Sequence, residues 1–168
     1  RYGEIGLKGG NRHLFEKALV RNLRAALADA PDLRILRHRG RMFLRSSIPA
    51  EEMALDACKV FGVTSVSPAT EVQMDSDSIC AAALTCLQEA MQKDFPGRVD
   101  PIRFRVTVNR ANKRFPVASS EFQRTVANHV MPKVPNLVVD LKNAELDLEV
   151  DIRQEGCWVF ARRFPGPA

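Results

Sequence analysis

Three stretches of the chain hold side chains whose types and spacing could do chemistry. The first, residues 1–15, sets Gly6, Gly9 and Gly10 around Lys8 and Arg12, directly ahead of an amphipathic run. Glycines let a backbone approach a ligand, and a helix start offers unpaired N–H groups, so the combination suits a phosphate. It lacks the Gly-Lys-Ser/Thr ending of a nucleotide-binding P-loop and does not read as an ATP site. The second stretch, residues 110–116, places Arg110, Lys113, Arg114 and Phe115 between an arginine-bearing strand and a helix start. Single-stranded RNA ends are held by such sets, through phosphate contacts and base stacking. A plainer reading has Phe115 and Pro116 plugging a core while the cations are solvated. The third stretch puts Glu145, Asp147, Glu149 and Asp151 at every second position, which aligns them on one strand face. Neighbours on such a face stand ~6–7 Å apart, and no histidine joins them, so a solvated sheet face fits better than a metal site. A tight turn at residues 154–156 would set Asp147 opposite Arg163.

The remaining reactive side chains form no recognisable centre. Cys58, Cys80, Cys86 and Cys157 show no C-x-x-C pair and read as small apolar residues on helices and a strand. His13, His38 and His129 sit on separate elements, with no nucleophile motif beside them. The sequence therefore offers no catalytic residue and no metal ligand set. What it does offer is a charge pattern. Residues 1–45 carry 11 basic and 4 acidic side chains, residues 46–102 carry 3 and 9, and residues 103–168 carry 11 and 7. Clustered cations are the footprint of a polyanion partner, because neutralising phosphates releases counterions. No apolar run reaches membrane-spanning length and no leader is evident, which points to the cytoplasm and away from a membrane. The chain opens on Arg1 and closes on a Pro-Gly turn, as a piece of something longer would.

The elements that must position these groups follow from periodicity. Phe15, Leu19, Leu23 and Leu27 recur every fourth residue and predict a helix over 12–29. Residues 33–37 and 42–45 read as a hairpin, a second helix begins at Pro49 with Ala54, Ala57, Cys58 and Phe61 as its buried stripe, and residues 63–67 can be a strand. With Tyr2 as the remnant of an earlier strand, the order is β-α-β-β-α-β, the ferredoxin-like arrangement. A composition change at residues 68–75 marks a boundary. Beyond it come a helix through Ile79, Ala83 and Leu87, and a strand alternating Ile102, Phe104, Val106 and Val108 with Arg103 and Arg105. A helix whose Ser120 and Gln123 have capping-box spacing follows, and then three strands at 137–141, 145–153 and 157–164. The fold class is α+β, with a mixed α/β second half.

Several of these stretches also resemble a known family. Residues 1–15 are similar, nearly residue for residue, to the opening of bacterial tRNA 4-thiouridine synthetases, the sulfur-transfer enzymes linked also to thiamine synthesis. Residues 104–116, Ser119-Ser120-Glu121 and Arg162-Arg163-Phe164-Pro165-Gly166 resemble the THUMP domain of the same enzymes. The resemblance implies a ferredoxin-like domain over 1–69, its first strand clipped, and a THUMP domain over 70–168. It implies that the pair binds tRNA, with THUMP receiving the acceptor end. On that footing Lys8 and Arg12 contact backbone phosphates. Arg105, Arg110, Lys113, Arg114 and Phe115 hold the acceptor end, helped by Arg124 and Lys142. The family's ATP-using domain, which adenylates the uridine and carries a sulfur-transfer cysteine, has no matching motif here, so no cofactor is expected in these residues. In the full protein a cysteine desulfurase supplies the sulfur, and homodimer formation stays open. Two other readings stand beside this one: a THUMP module of an RNA methyltransferase, and a ferredoxin-like protein-interaction domain.

Overall fold

Spacing of apolar residues, helix-start chemistry and strand alternation together produce the elements of the computed structural model, which describes residues 1–2, 10–38 and 41–167. They divide into two units, Arg1–Pro68 with Arg163–Ala168, and Ala69–Arg162. In the first unit the four-residue repeat forms α1 (Gly10–Ala26). Leu19 and Leu23 are buried from it and Leu27 just beyond it, while Lys17, Arg21 and Arg24 stay exposed. Each such leucine contributes roughly 2 kcal/mol by leaving water. The hairpin β1 (Arg34–His38) and β2 (Arg41–Arg45) pairs antiparallel, from Arg34 opposite Arg45 to His38 opposite Arg41. Its alternation sends Ile35, Met42 and Leu44 against the core. α2 (Ala50–Ala57) follows Pro49, with Glu51 and Glu52 in the first turn, where carboxylates favour the helix dipole.

Gly62 then turns the chain at φ 98°, a conformation L side chains rarely adopt, and a Cβ there would meet the Phe15 ring at 3.0 Å. This turn brings Val63 against Tyr2 in an antiparallel bridge and leads into β3 (Ser65–Val66). Phe61 departs from the expected buried stripe. α2 ends at Ala57, four residues earlier, and the turn leaves Phe61 78% exposed.

In the second unit β4 (Thr70–Val72) precedes α3 (Ser76–Asp94), whose start is capped by the Asp75 side chain accepting from the Ser78 N–H at 2.8 Å. β5 (Ile102–Arg110), α4 (Ser119–Val130), β6 (Leu137–Val139), β7 (Leu146–Ile152) and β8 (Cys157–Phe160) follow. The five strands lie in the order β4-β8-β7-β5-β6, with β5 parallel to both β6 and β7 and the β7–β8 hairpin antiparallel. Phe104, Val106, Val108, Leu148, Val150 and Val159 face one way and form the core with Ile79, Leu87, Phe122 and Val126 of α3 and α4. The expected capping box at Ser120 does not form. α4 starts at Ser119 after Ala118, with no side-chain cap, and the Gln123 amide instead donates to the Val106 carbonyl at 2.9 Å, tying the helix to β5.

The row of carboxylates also departs from expectation. Asp151 is fully buried and Glu149 only 6% exposed, on a strand that lies between β5 and β8. Asp147 aligns with Arg105 of β5 and not with Arg163: the β7–β8 register, Glu149 opposite Phe160, runs toward Arg162, and β8 stops at Phe160. The chain after Arg162 rejoins the first unit, where the sequence reading had placed it with the second. There β9 (Phe164–Pro165) pairs antiparallel with β3, and the Gly166 N–H donates to the Thr64 carbonyl at 2.9 Å. A Cβ on Gly166 would fall 2.1 Å from the Val63 carbonyl oxygen, so glycine is what allows this approach. Among the described residues no helix is long and apolar enough to cross a membrane.

Candidate nucleic-acid interface

The connection from β5 to α4 is built by hydrogen bonds of its own residues. As β5 ends, the N–H groups of Ala111 and Asn112 both donate to the Ile152 carbonyl, at 2.8 and 3.0 Å, which fixes the loop to β7. Asn112 is buried, and its Oδ1 accepts the Arg114 N–H at 3.1 Å, an Asx-type turn that reverses the chain. Arg110 folds back across the loop, donating from Nε to the Phe115 carbonyl at 2.8 Å and from a terminal nitrogen to the Lys113 carbonyl at 2.9 Å. A guanidinium has five N–H donors in a rigid fork, so two can brace the loop and the rest remain for an anion. Lys113 Nζ approaches the Arg110 carbonyl at 3.2 Å and is otherwise exposed. Arg114 is exposed, and its side chain makes no hydrogen bond or ion pair among the described residues. The loop thus delivers two cations to the surface beside a helix start whose first-turn N–H groups have no side-chain cap.

Phe115 is not among the groups the loop presents. It is 3% exposed and packs edge-on against Phe122 at a centroid distance of 4.9 Å, leaving no ring face for a base. Its place in the candidate set is therefore corrected: it anchors the loop from below.

Arg105 and Lys142 lie elsewhere. Arg105 is five residues from Arg110, about 17 Å along the strand and on the opposite face of the sheet. Its two terminal nitrogens donate to the Leu141 carbonyl at 3.0 Å and to Asp147 at 3.2 Å. Thr107 adds a 2.7 Å bond to the other oxygen of Asp147. Arg98 grips Glu145 with both terminal nitrogens, at 2.8 and 2.9 Å, and Arg103 approaches the same carboxylate at 3.3 Å. These bonds, the Arg98 fork first and then the Arg103 N–H, hold the Glu145 carboxyl down at about 2. Arg153 sits 3.0 Å from buried Asp151. Much of the cationic face of β5 is thus neutralised internally. Lys142 follows the carbonyl that holds Arg105, in a turn where Asp140 accepts the N–H groups of residues 142 and 143, and its side chain is exposed. Arg124 projects outward from α4.

In the first unit Arg12 is half-buried on α1, 3.7 Å from Glu16. Lys8, Gly6 and Gly9 lie outside the described residues. The four cysteines carry free thiols, Cys80 and Cys157 buried, Cys58 and Cys86 half-buried, and burial pushes the Cys157 thiol up to about 12. Residues the sequence reading missed are Asn112, Gln123 and Arg98, which position the loop, α4 and Glu145. One signal was available: acids at every second position in 145–151 match arginines at 103 and 105, as on adjacent strands.

The model of the ThiI ferredoxin-like domain matches residues 1–67, and that of the THUMP domain matches residues 74–162. A protein named "Probable tRNA sulfurtransferase" from Natranaerobius thermophilus is 38% identical over 169 residues, 99% of this chain, and the chain spans only 40% of that relative's length. The crystal structure of PH1313 from Pyrococcus horikoshii Ot3 superposes with a TM-score of 0.82 at 34% identity, covering 99% of this chain and 53% of the other. A 4-thiouridine synthetase crystallised with RNA and bound ATP superposes with a TM-score of 0.79 at 27% identity, covering 99% of this chain and 40% of the other. The chain belongs to the THUMP family, in the arrangement that sets a ThiI ferredoxin-like domain first and the THUMP domain second.

Proposed function

We propose that this chain is the tRNA-binding portion of a tRNA sulfurtransferase that makes 4-thiouridine, with thiamine synthesis as a second use of the same sulfur. The observation that carries the reading is the β5–α4 loop: Arg110 and Asn112 brace it from within, so that Lys113 and Arg114 stand exposed beside an uncapped helix start. Similarity over 99% of the chain to a synthetase solved with RNA supports the same partner. In this reading Lys113, Arg114 and the spare donors of Arg110 take phosphates of the single-stranded acceptor end. Arg124 extends the path along α4, and Lys8 and Arg12 contact the backbone elsewhere on the tRNA. Arg105 is assigned to sheet cohesion, since its donors meet Asp147 and Leu141.

The chain's own work is then positioning. Holding the tRNA by its end converts an encounter with the uridine into an intramolecular step for a catalytic domain elsewhere in the protein. That domain uses ATP to activate the uridine and receives sulfur from a cysteine desulfurase. The test is binding of the chain to full-length tRNA and to the same tRNA lacking its single-stranded acceptor end, across a salt series. Trimming should weaken binding and flatten the salt dependence. Equal, salt-sensitive binding of both would reject acceptor-end recognition, and absence of binding to either would favour a protein-interaction domain.

A further inference from the structure

α1 carries Arg12, Lys17, Arg21 and Arg24 against a single acid, Glu16. That acid is taken up on another side of the helix, where it accepts from the Tyr2 hydroxyl at 2.7 Å and stands 3.7 Å from Arg12. Lys17, Arg21 and Arg24 are set apart from it. At 3.6 residues per turn they fall within about 60° of arc and about 10.5 Å of helix axis, opposite Phe15, Leu19 and Leu23. All three are exposed, and none makes an ion pair among the described residues.

Such a row costs the helix stability. Lys17 and Arg21 are four residues apart and Arg21 and Arg24 three, so like charges are neighbours, and no acid stands three or four residues from any of them. The helix dipole favours only Arg24, the cation in the last turn. Arg24 also donates from a terminal nitrogen to the Leu33 carbonyl at 3.4 Å, a neutral partner that holds the guanidinium without cancelling its charge. The acid next to that carbonyl in sequence, Asp32, is engaged elsewhere: it accepts the Ser46 hydroxyl at 2.7 Å and the Ser47 N–H at 2.9 Å. These bonds, Ser46 first, hold its carboxyl down at about 2.

From residue 17 to residue 26 the helix exposes no large apolar side chain, and the open positions beside the cations are Asn22 and Ala25. A protein interface centres on aromatic and apolar anchors, which this stretch lacks. Cations at fixed intervals with nothing apolar among them suit a partner whose charges repeat and whose contact needs no apolar burial, which describes a nucleic-acid backbone.

We propose that the outer face of α1 is a second RNA contact, in which Lys17, Arg21 and Arg24 take phosphates along a base-paired stem of the tRNA. It rests on the tRNA reading above and adds a face separate from the acceptor-end loop and from Arg12, which is half-buried beside Glu16. A straight helix keeps its side chains at regular intervals, and duplex RNA, recognised by shape and backbone, offers phosphates with matching order.

The experiment replaces Lys17 and Arg21 together by Ala and, in parallel, by the charge-keeping pair Lys17→Arg with Arg21→Lys. Binding of the whole chain to full-length tRNA and to tRNA lacking its single-stranded acceptor end is measured across a salt series, beside Lys113→Ala with Arg114→Ala. The Ala pair should lower affinity for both RNAs by the same factor, about tenfold at low salt, and reduce the log–log salt slope by about 1.5 to 2, as for two lost phosphate contacts. The charge-keeping pair should hold the parent affinity and slope. Alanine is the strongest helix former and a repulsion is removed, so the Ala pair should melt at or above the parent. Parent affinity and slope in a variant that melts normally, with the Lys113 and Arg114 variant losing both, would reject the α1 face and leave the tRNA reading standing. A loss seen with full-length tRNA and not with the trimmed one would also overturn it, since the face would then serve the acceptor end. If neither variant changes binding, both readings fall together.

Discussion

On the outer face of the five-stranded sheet, Arg98, Arg103 and Arg105 are held by Glu145 and Asp147, whereas in the β5–α4 loop Lys113 and Arg114 face solvent and meet no carboxylate among the described residues. Both regions are rich in cations and both flow from the same strand. They differ in what lies next to them. β7 supplies a carboxylate at every second residue along the middle of β5, and its last residue, Ile152, supplies only a carbonyl to the loop. Counting cations along a sequence therefore overstates the binding surface. The cations that matter are those whose backbone is braced by neutral groups, because such a brace orders the loop without cancelling its charge.

The sharpest way to break that comparison is to remove the anchor under the loop. Phe115→Ala deletes a ring packed on Phe122, a change that typically costs about 3–5 kcal/mol in a core. Urea unfolding should show the midpoint of the second unit falling accordingly, with RNA affinity falling as the loop loses its platform. A variant of unchanged midpoint that still lost RNA binding would return Phe115 to the surface as a stacking residue and contradict its burial.

Next in size is a direct contrast of the two regions. Lys113→Ala with Arg114→Ala should reduce tRNA affinity by about tenfold and lower the salt slope by about 1.5 to 2. Arg103→Ala, which removes a cation from the neutralised face, should leave affinity within about twofold. Comparable losses from both variants would mean that the ion pairs on β5 open for RNA and that the division between paired and presented cations fails.

How far this division was legible depends on whether the deciding neighbour is local. The helices at Leu19 and Ile79, the hairpin around residue 40 and the alternation of Ile102 to Val108 follow from spacing within one segment, and they form as read. The order of two domains was legible too, because short motifs at residues 1–15 and 104–116 resemble one family. Asp151 reads as solvated from local alternation, yet it is fully buried, with Asn109 of β5 and Trp158 of β8 as its cross-strand neighbours. Gln123 has the spacing of a capping residue, yet a carbonyl of β5 is within reach and wins. Phe115 offered two readings in the sequence, and only the packing of Phe122 against it decides between them.

The smallest effect, and the one that isolates the neutralised face, is its response to acid. Glu145 is held at about 2, below its ordinary 4.5, by the Arg98 fork and the Arg103 N–H. A carboxyl whose folded value is depressed stabilises the fold fully above its unfolded value, and that share is lost as pH falls from about 4.5 toward 2. Asp75, lowered by its cap to Ser78, and Asp32 in the first unit weaken over the same acid range, so total melting alone does not identify Glu145. Comparison with Glu145→Gln does. The amide cannot form the charged pair at any pH, so the variant should melt below the parent at neutral pH and the gap should close as pH falls through this window. A gap that stays constant from pH 7 to pH 2 would mean that the Arg98–Glu145 pair adds nothing to the fold. The outer face would then hold cations in pairs without gaining stability from them, and the contrast with the loop would rest on binding alone.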